Sequence, residues 1–178
     1  CRDSKLLIAY HIGRQTSEDA LSFMDDLASR VANRIQLTTD GHPMYRMAVE
    51  LAFGYGMIDY AQVEKQYKSD RIEGSRRYSP PVCTGCKKKP IMGNPDPDMV
   101  STSHVERKNL TIRMSMRRFT RLTNAFSKKL DAHLYAVALH TMYYNYCKPH
   151  GTLTKERGGM KTTPAMAAGL TDRVWTVH

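Results

Sequence analysis

The sequence predicts an α/β fold, and three observations carry that prediction. Strand-like and helix-like apolar periods alternate over residues 1–61. Sustained helical spacing begins at His104 and runs to the tyrosine-rich stretch near Tyr146. Between them, Gln62 to Ser103 is polar, holds Pro80, Pro81, Pro90, Pro95 and Pro97, and shows no sustained period.

Leu6 to Ile12 is an apolar run rich in strand formers and closed by Gly13, so it reads as a buried strand. Thr16 or Ser17 offers an N-cap, and Glu18 and Asp19 suit the first turn of a helix. Ala20, Phe23, Met24, Leu27 and Val31 then recur at helical spacing, giving an amphipathic helix over Ser17 to Ala32. Arg34 to Thr39 reads as a second strand ended by the turn pair Asp40-Gly41. Pro43 to Phe53 is a helix stopped by Gly54 and Gly56, and Met57 to Ala61 is a third strand. Where a helix crosses over between strands, parallel pairing is expected.

The stretch 62–103 reads as a long insertion or loop, a feature that in compact domains is more often functional or disordered than decorative. From His104 a helix carries Ile112, Met116, Phe119 and Leu122 as apolar cover. On the same helix Arg113, Arg117 and Arg121 are spaced by four, which would stack three guanidinium groups on one face. A further helix over Ser127 to Tyr146 would bury Leu130, Leu134, Val137, Ala138 and Met142, and a helical turn follows Pro164. The organisation expected is thus 1–61 as the α/β part of a core, 62–103 as the insertion, 104–150 as the helical part and 151–178 as a tail.

At 178 residues, with 41% hydrophobic and 25% charged residues, the chain can bury a real core. No stretch approaches the roughly 18 uninterrupted apolar residues of a membrane span. Cys1 to Lys5 is polar, unlike a secretory leader, so a cytoplasmic location and no membrane are expected. A chain that opens on Cys rather than Met reads as a piece of something longer.

Lys and Arg total 27 against 17 acids, a net charge of +10, which points to a polyanionic partner. From Arg107 to Lys129 there are eight basic residues and no acidic one. Solvated helix faces usually mix signs, so nucleic acid is the first partner to consider.

Cys83 and Cys86 form a CxxC, half of a tetrahedral zinc site, but no second pair completes it. They read as reduced loop cysteines, with a zinc-stapled loop as the weaker alternative. His104, His133, His140 and His150 have no metal-site spacing. Tyr143, Tyr144 and Tyr146 suit helix packing better than base stacking.

Two acids could carry chemistry. Asp40 ends a strand at the edge where α/β sheets gather ligands and reacting groups, although Asp-Gly is also a common turn pair. Glu106 begins the basic helix, where the dipole alone would favour an acid.

Thr38-Thr39-Asp40-Gly41, Asn94-Pro95-Asp96-Pro97-Asp98 and Thr102-Ser103-His104-Val105-Glu106-Arg107 together resemble bacterial insertion-sequence transposases of the DDE type, in particular the IS-one-like family. The run from Arg113 to Lys129 and the tail with Tyr144-Asn145-Tyr146, His150 and Thr163-Pro164-Ala165-Met166 extend the resemblance over nearly the whole chain. It implies an RNase H-like mixed sheet with flanking helices. It also implies metal-dependent cleavage and strand transfer of an insertion sequence, a DNA recombination reaction.

By the same resemblance, Asp40 and Glu106 are catalytic and hold Mg²⁺ or Mn²⁺ in a two-metal site. Arg107, Lys108, Arg113, Arg117, Arg118 and Arg121 would grip DNA. Double-stranded DNA, as element ends and as target, is the expected partner, with a homodimer left open. The family's first catalytic aspartate lies on an opening strand that this sequence lacks, together with the strand after it. The expectation is therefore an N-terminally truncated copy with an exposed, aggregation-prone sheet edge. The alternative is a non-catalytic DNA-binding protein that uses the arginine-rich helix.

Overall fold

The structure, a computed structural model, describes residues 1–68, 82–120 and 124–177. Its described residues form a mixed α/β arrangement with one three-stranded sheet and flanking helices. The chain divides into two compact units, one of Gly13–Ser103 and one of Cys1–Ile12 with His104–His178.

The unit Gly13–Ser103 holds α1 (Ser17–Arg30), β1 (Ile35–Asp40), α2 (Pro43–Phe53), β2 (Ile58–Lys68) and β3 (Val82–Met92). Thr16 is the N-cap of α1, its hydroxyl oxygen accepting the Asp19 amide at 3.2 Å. Asp19 in turn accepts the Thr16 hydroxyl at 2.7 Å and the Arg14 amide at 2.9 Å, which fixes the entry to the helix. Met24 and Leu27 are the buried residues of α1, which packs on α2. Helix α2 starts with Pro43 at its first position and ends at Gly54, whose φ of 69° is a conformation a side chain would resist.

Strand β2 is central. It pairs parallel with β1, from Ile35↔Ile58 to Asp40↔Val63, and antiparallel with β3, from Tyr60↔Met92 to Lys68↔Val82. A central strand is covered on both faces, and accordingly Ile58, Tyr60, Ala61, Gln62 and Val63 are all buried. Ala61 and Val63 meet Val100 in the core.

The stretch 62–103 is therefore not a plain insertion or loop: it carries most of β2 and all of β3. Strand β3 is an edge strand, which explains its irregular sequence. Pro90 pairs with Ala61 beside a register shift, a place where the missing amide is tolerated. Lys87, Lys88 and Lys89 are exposed on this edge and charge it against further pairing. Cys83 and Cys86 are exposed and in no disulfide among the described residues, and they lie on this strand rather than in a loop.

The Arg34 guanidinium grips Asp59 through two hydrogen bonds, at 2.9 and 2.6 Å, and donates to the Gly56 carbonyl at 2.6 Å. Asp59 also accepts the Asn94 amide at 2.7 Å. A Cβ at Gly93, where φ is 68°, would strike this carboxylate, so glycine is required there.

In the unit of Cys1–Ile12 and His104–His178, the elements are α3 (whose span Ser103–Ser115 starts one residue earlier), a 3₁₀ turn (Arg117–Phe119), α4 (Leu130–Met142), a π turn (Tyr143–Cys147), α5 (Gly151–Glu156) and α6 (Pro164–Ala167). Leu6–Ile12 is not a strand. It has no ladder among the described residues, and a side chain serves it instead. The Asn145 amide accepts the Leu7 N–H at 3.0 Å and donates to the Leu7 carbonyl at 2.9 Å. The π turn widens the end of α4 and lets consecutive residues Tyr144 and Asn145 both be buried.

Helix α4 is also less covered than its apolar pattern predicts. Leu130 is 66% exposed, and Leu134 and Met142 are exposed as well, while Val137 and Ala138 are half-buried. No helix among the described residues is long and apolar enough to cross a membrane.

Candidate nucleic-acid interface

Asp40 is the last residue of β1 and is exposed. The turn after it is held from the sheet. Gln62, buried on β2, donates its side-chain amide to the carbonyl of Asp40 at 3.3 Å and to that of His42 at 3.4 Å. One Asp40 carboxylate oxygen accepts the His42 amide at 3.3 Å, an Asx-type turn that points into the start of α2.

Below this, the Thr39 hydroxyl and the buried Tyr60 hydroxyl are hydrogen-bonded at 2.8 Å. Burial first, and then the charge of Asp40, pushes the Tyr45 hydroxyl above its ordinary pKa. Gly41 lies close to β2: a Cβ there would come within 2.8 Å of Glu64 Cγ, so that side chain would have to shift. Glu64 is itself paired with Lys89 at 2.6 Å.

Sequence reasoning identified Asp40 but missed Gln62, Tyr60 and Glu64. Their signal is the strand register, Thr39↔Gln62 and Asp40↔Val63, which does not exist until β1 and β2 pair.

Glu106 lies in the first turn of α3 and is exposed. Asp40 belongs to the unit Gly13–Ser103, and Glu106 to the other. Among the described residues, no group of three or more His, Cys, Asp or Glu side chains is arranged to hold a metal ion.

The basic residues do not form one stacked face. Helix α3 ends at Ser115, and Met116 is extended, with φ −122° and ψ 107°. Arg113 is therefore on the helix and half-buried, while Arg117 and Arg118 sit exposed on the 3₁₀ turn. The break has an anchor: Met116 is buried at 9% exposure, and the Thr120 hydroxyl donates back to the Arg113 carbonyl at 3.4 Å. Arg118 is further tied down, donating to the Ala132 carbonyl at 2.5 Å. Arg107 is exposed on α3. Arg121 lies outside the described residues.

Lys108 departs most from expectation. Its ammonium is buried, has no hydrogen-bond partner among the described residues, and lies 2.8 Å from the centroid of the Tyr144 ring. The ring face attracts a cation, but burial acts the other way. Loss of solvation, with the nearby Lys148 charge adding to it, pulls the Lys108 pKa down to about 7. An ammonium so enclosed is not presented to a phosphate, which sets Lys108 apart from Arg107, Arg117 and Arg118.

A cavity of about 380 Å³ opens in the same unit, lined by residues of α3, α4 and the N-terminal segment. His140 and Thr141, both on α4, line it.

Compared with protein-family models, curated proteins and solved structures, the chain matches none.

Proposed function

We propose that this chain is an RNase H-like transposase module of the DDE type, acting on double-stranded DNA by metal-dependent strand cleavage and transfer. The observation that carries the reading is Asp40, an exposed carboxylate that closes β1 at the carboxyl end of a parallel strand pair. Ligands and reacting groups of α/β sheets gather at that edge. Glu106, exposed in the first turn of a helix rich in cations, is the second acid assigned.

Both are hard oxygen donors, which fits Mg²⁺ or Mn²⁺. Such a cation, when bound, supplies Lewis-acid polarisation of a phosphodiester and a more acidic attacking water. The chain's own part is to hold and grip. Gln62 fixes the Asp40 turn through two carbonyls. Arg107, Arg117 and Arg118, all exposed, neutralise phosphates and set the register of the duplex without reading its sequence. Arg113 and Arg121 are assigned to the same grip by the resemblance alone.

The exposure of these arginines also favours a second reading, non-catalytic DNA binding. Labelled duplex ends incubated with Mn²⁺ separate the two. Strand breakage lost in Asp40→Asn and Glu106→Gln supports the transposase reading. Binding that ignores Mn²⁺ and both substitutions, with no breakage, supports the second.

A further inference from the structure

Cys83 and Cys86 stand three residues apart on β3, a spacing that would put their side chains on opposite faces of a regular strand. The ladder is not regular there. Cys83 pairs with Tyr67 and Gly85 with Gln66, so Thr84 is an extra residue with no partner on β2, a β-bulge. Its hydroxyl donates to the Gln66 carbonyl at 3.3 Å, which holds the bulge against β2. Beyond it, Cys86 pairs with Lys65. Tyr67 and Lys65 are two positions apart and face the same side of the sheet, so the thiols opposite them do too.

Both thiols are exposed. Two ladder positions are about 6.8 Å apart along a strand, so two sulfurs share an ion only by leaning together. Cys83 does lean: its thiol donates to the Gly85 carbonyl at 3.5 Å, which sets the sulfur beside the peptide bond that leads into Cys86. A convergent thiolate pair suits a thiophilic cation, and structural zinc asks for four such donors in a tetrahedron. Among the described residues, no third His, Cys, Asp or Glu joins the pair. Residues 69–81 contain no cysteine or histidine. The donors that complete a tetrahedron therefore come from outside the chain, and a two-fold axis through the ion supplies an identical pair.

The charges agree with that arrangement. Four thiolates around Zn²⁺ leave two net negative charges. Lys65, directly opposite Cys86, brings one positive charge from each copy to the same face. Tyr67, opposite Cys83 and 56% exposed, gives a second copy an aromatic surface to meet beside the ion.

We infer that Cys83 and Cys86 are half of a tetrahedral zinc site, completed by the same two residues of a second copy of this chain. Binding forms four Zn–S bonds and releases the four thiol protons to solvent, with no transfer of electrons. The site uses none of the acids or arginines assigned to DNA, so it stands or falls independently of that reading.

Titration of the metal-free full chain with Co²⁺ and then Zn²⁺, under a phosphine reductant, tests the inference. Co²⁺ is expected to give the intense visible bands of a tetrahedral four-thiolate site, saturating at one ion per two chains, and Zn²⁺ is expected to displace it. Sedimentation velocity should show a Zn²⁺-dependent doubling of mass that a chelator reverses. Cys83→Ser and Cys86→Ser are each expected to abolish both signals, and Cys147→Ser neither. Deletion of Thr84 keeps both cysteines but removes the bulge and sends them to opposite faces, so it is expected to abolish both signals as well. Circular dichroism checks that the variants remain folded. A reduced wild type that binds neither ion overturns the inference, as does saturation at one ion per chain without association. So does undiminished binding in a folded Cys83→Ser or Thr84-deleted variant.

Discussion

The Lys108 ammonium lies 2.8 Å from the centre of the Tyr144 ring, buried and without a hydrogen bond among the described residues. A lysine in a basic run is normally a solvated contact for a polyanion, and here it is a constituent of the interior. The residue that turns it inward is 36 positions away in sequence, and it is buried because a π turn closes α4.

Lys108→Met should stabilise the protein. A buried ammonium without an acid or hydrogen bond is costly, and a thioether of similar length suits the same space, so a gain of about 1–2 kcal/mol is expected. Urea midpoints of the two proteins at pH 6 measure it. The gain should shrink as pH rises. With a folded pKa of about 7 against an ordinary 10.5, the unfolded chain holds the proton over that window and the folded chain does not. Wild-type stability therefore climbs between those two values and the variant's does not.

Asp59 behaves oppositely. Its hydrogen bonds to Arg34 and to the Asn94 amide hold its carboxyl at about 2, against an ordinary 3.8. The stabilisation is full above 3.8, falls while the unfolded chain takes up a proton that the folded carboxylate does not, and is gone once pH has fallen through 2. Asp59→Asn should flatten that part of the acid-unfolding curve, measured by circular dichroism from pH 5 to pH 1.5.

The turn that carries Asp40 depends on Gln62 and Gly41. Gln62→Leu leaves the Asp40 and His42 carbonyls without their donor, and a loss of about 1–3 kcal/mol is expected. Gly41→Ala drives a methyl group against Glu64 Cγ, and overpacking of this kind costs about 1–3 kcal/mol. Thermal melts of both variants, beside Thr38→Ala as a control on the same strand, check the two values.

Phosphate contacts carry their signature in salt dependence. Arg107→Ala and Arg117→Ala should each lower the slope of log affinity against log salt by about 1 and weaken binding to all duplex sequences alike. Lys108→Met should leave the slope unchanged, because its ammonium is enclosed. Fluorescence anisotropy on a labelled duplex between 50 and 200 mM salt distinguishes them.

How much of this the sequence carried depended on whether a signal was local. Helix α2 has the predicted bounds, Pro43–Phe53, because proline at its start and Gly54 at its end act on their own neighbours. β1 and the Asp40-Gly41 turn were legible for the same reason. β3 was not, since an edge strand need not alternate, and its lysines and Pro90 read as loop residues. Leu6–Ile12 had the composition of a strand, but strands need neighbours, and Asn145 supplies only the Leu7 pair of bonds. In the candidate site, Asp40 was visible, whereas the support from Gln62 and the inward turn of Lys108 arise only from pairing and packing.

The most direct test of the central proposal is the single-turnover rate of strand breakage on labelled duplex ends in Mn²⁺, for the wild type, Asp40→Asn and Glu106→Gln. The transposase reading predicts breakage by the wild type and a loss of at least 100-fold in each variant, with duplex binding retained. Salt-sensitive binding without breakage, or breakage undiminished in Asp40→Asn, would contradict it.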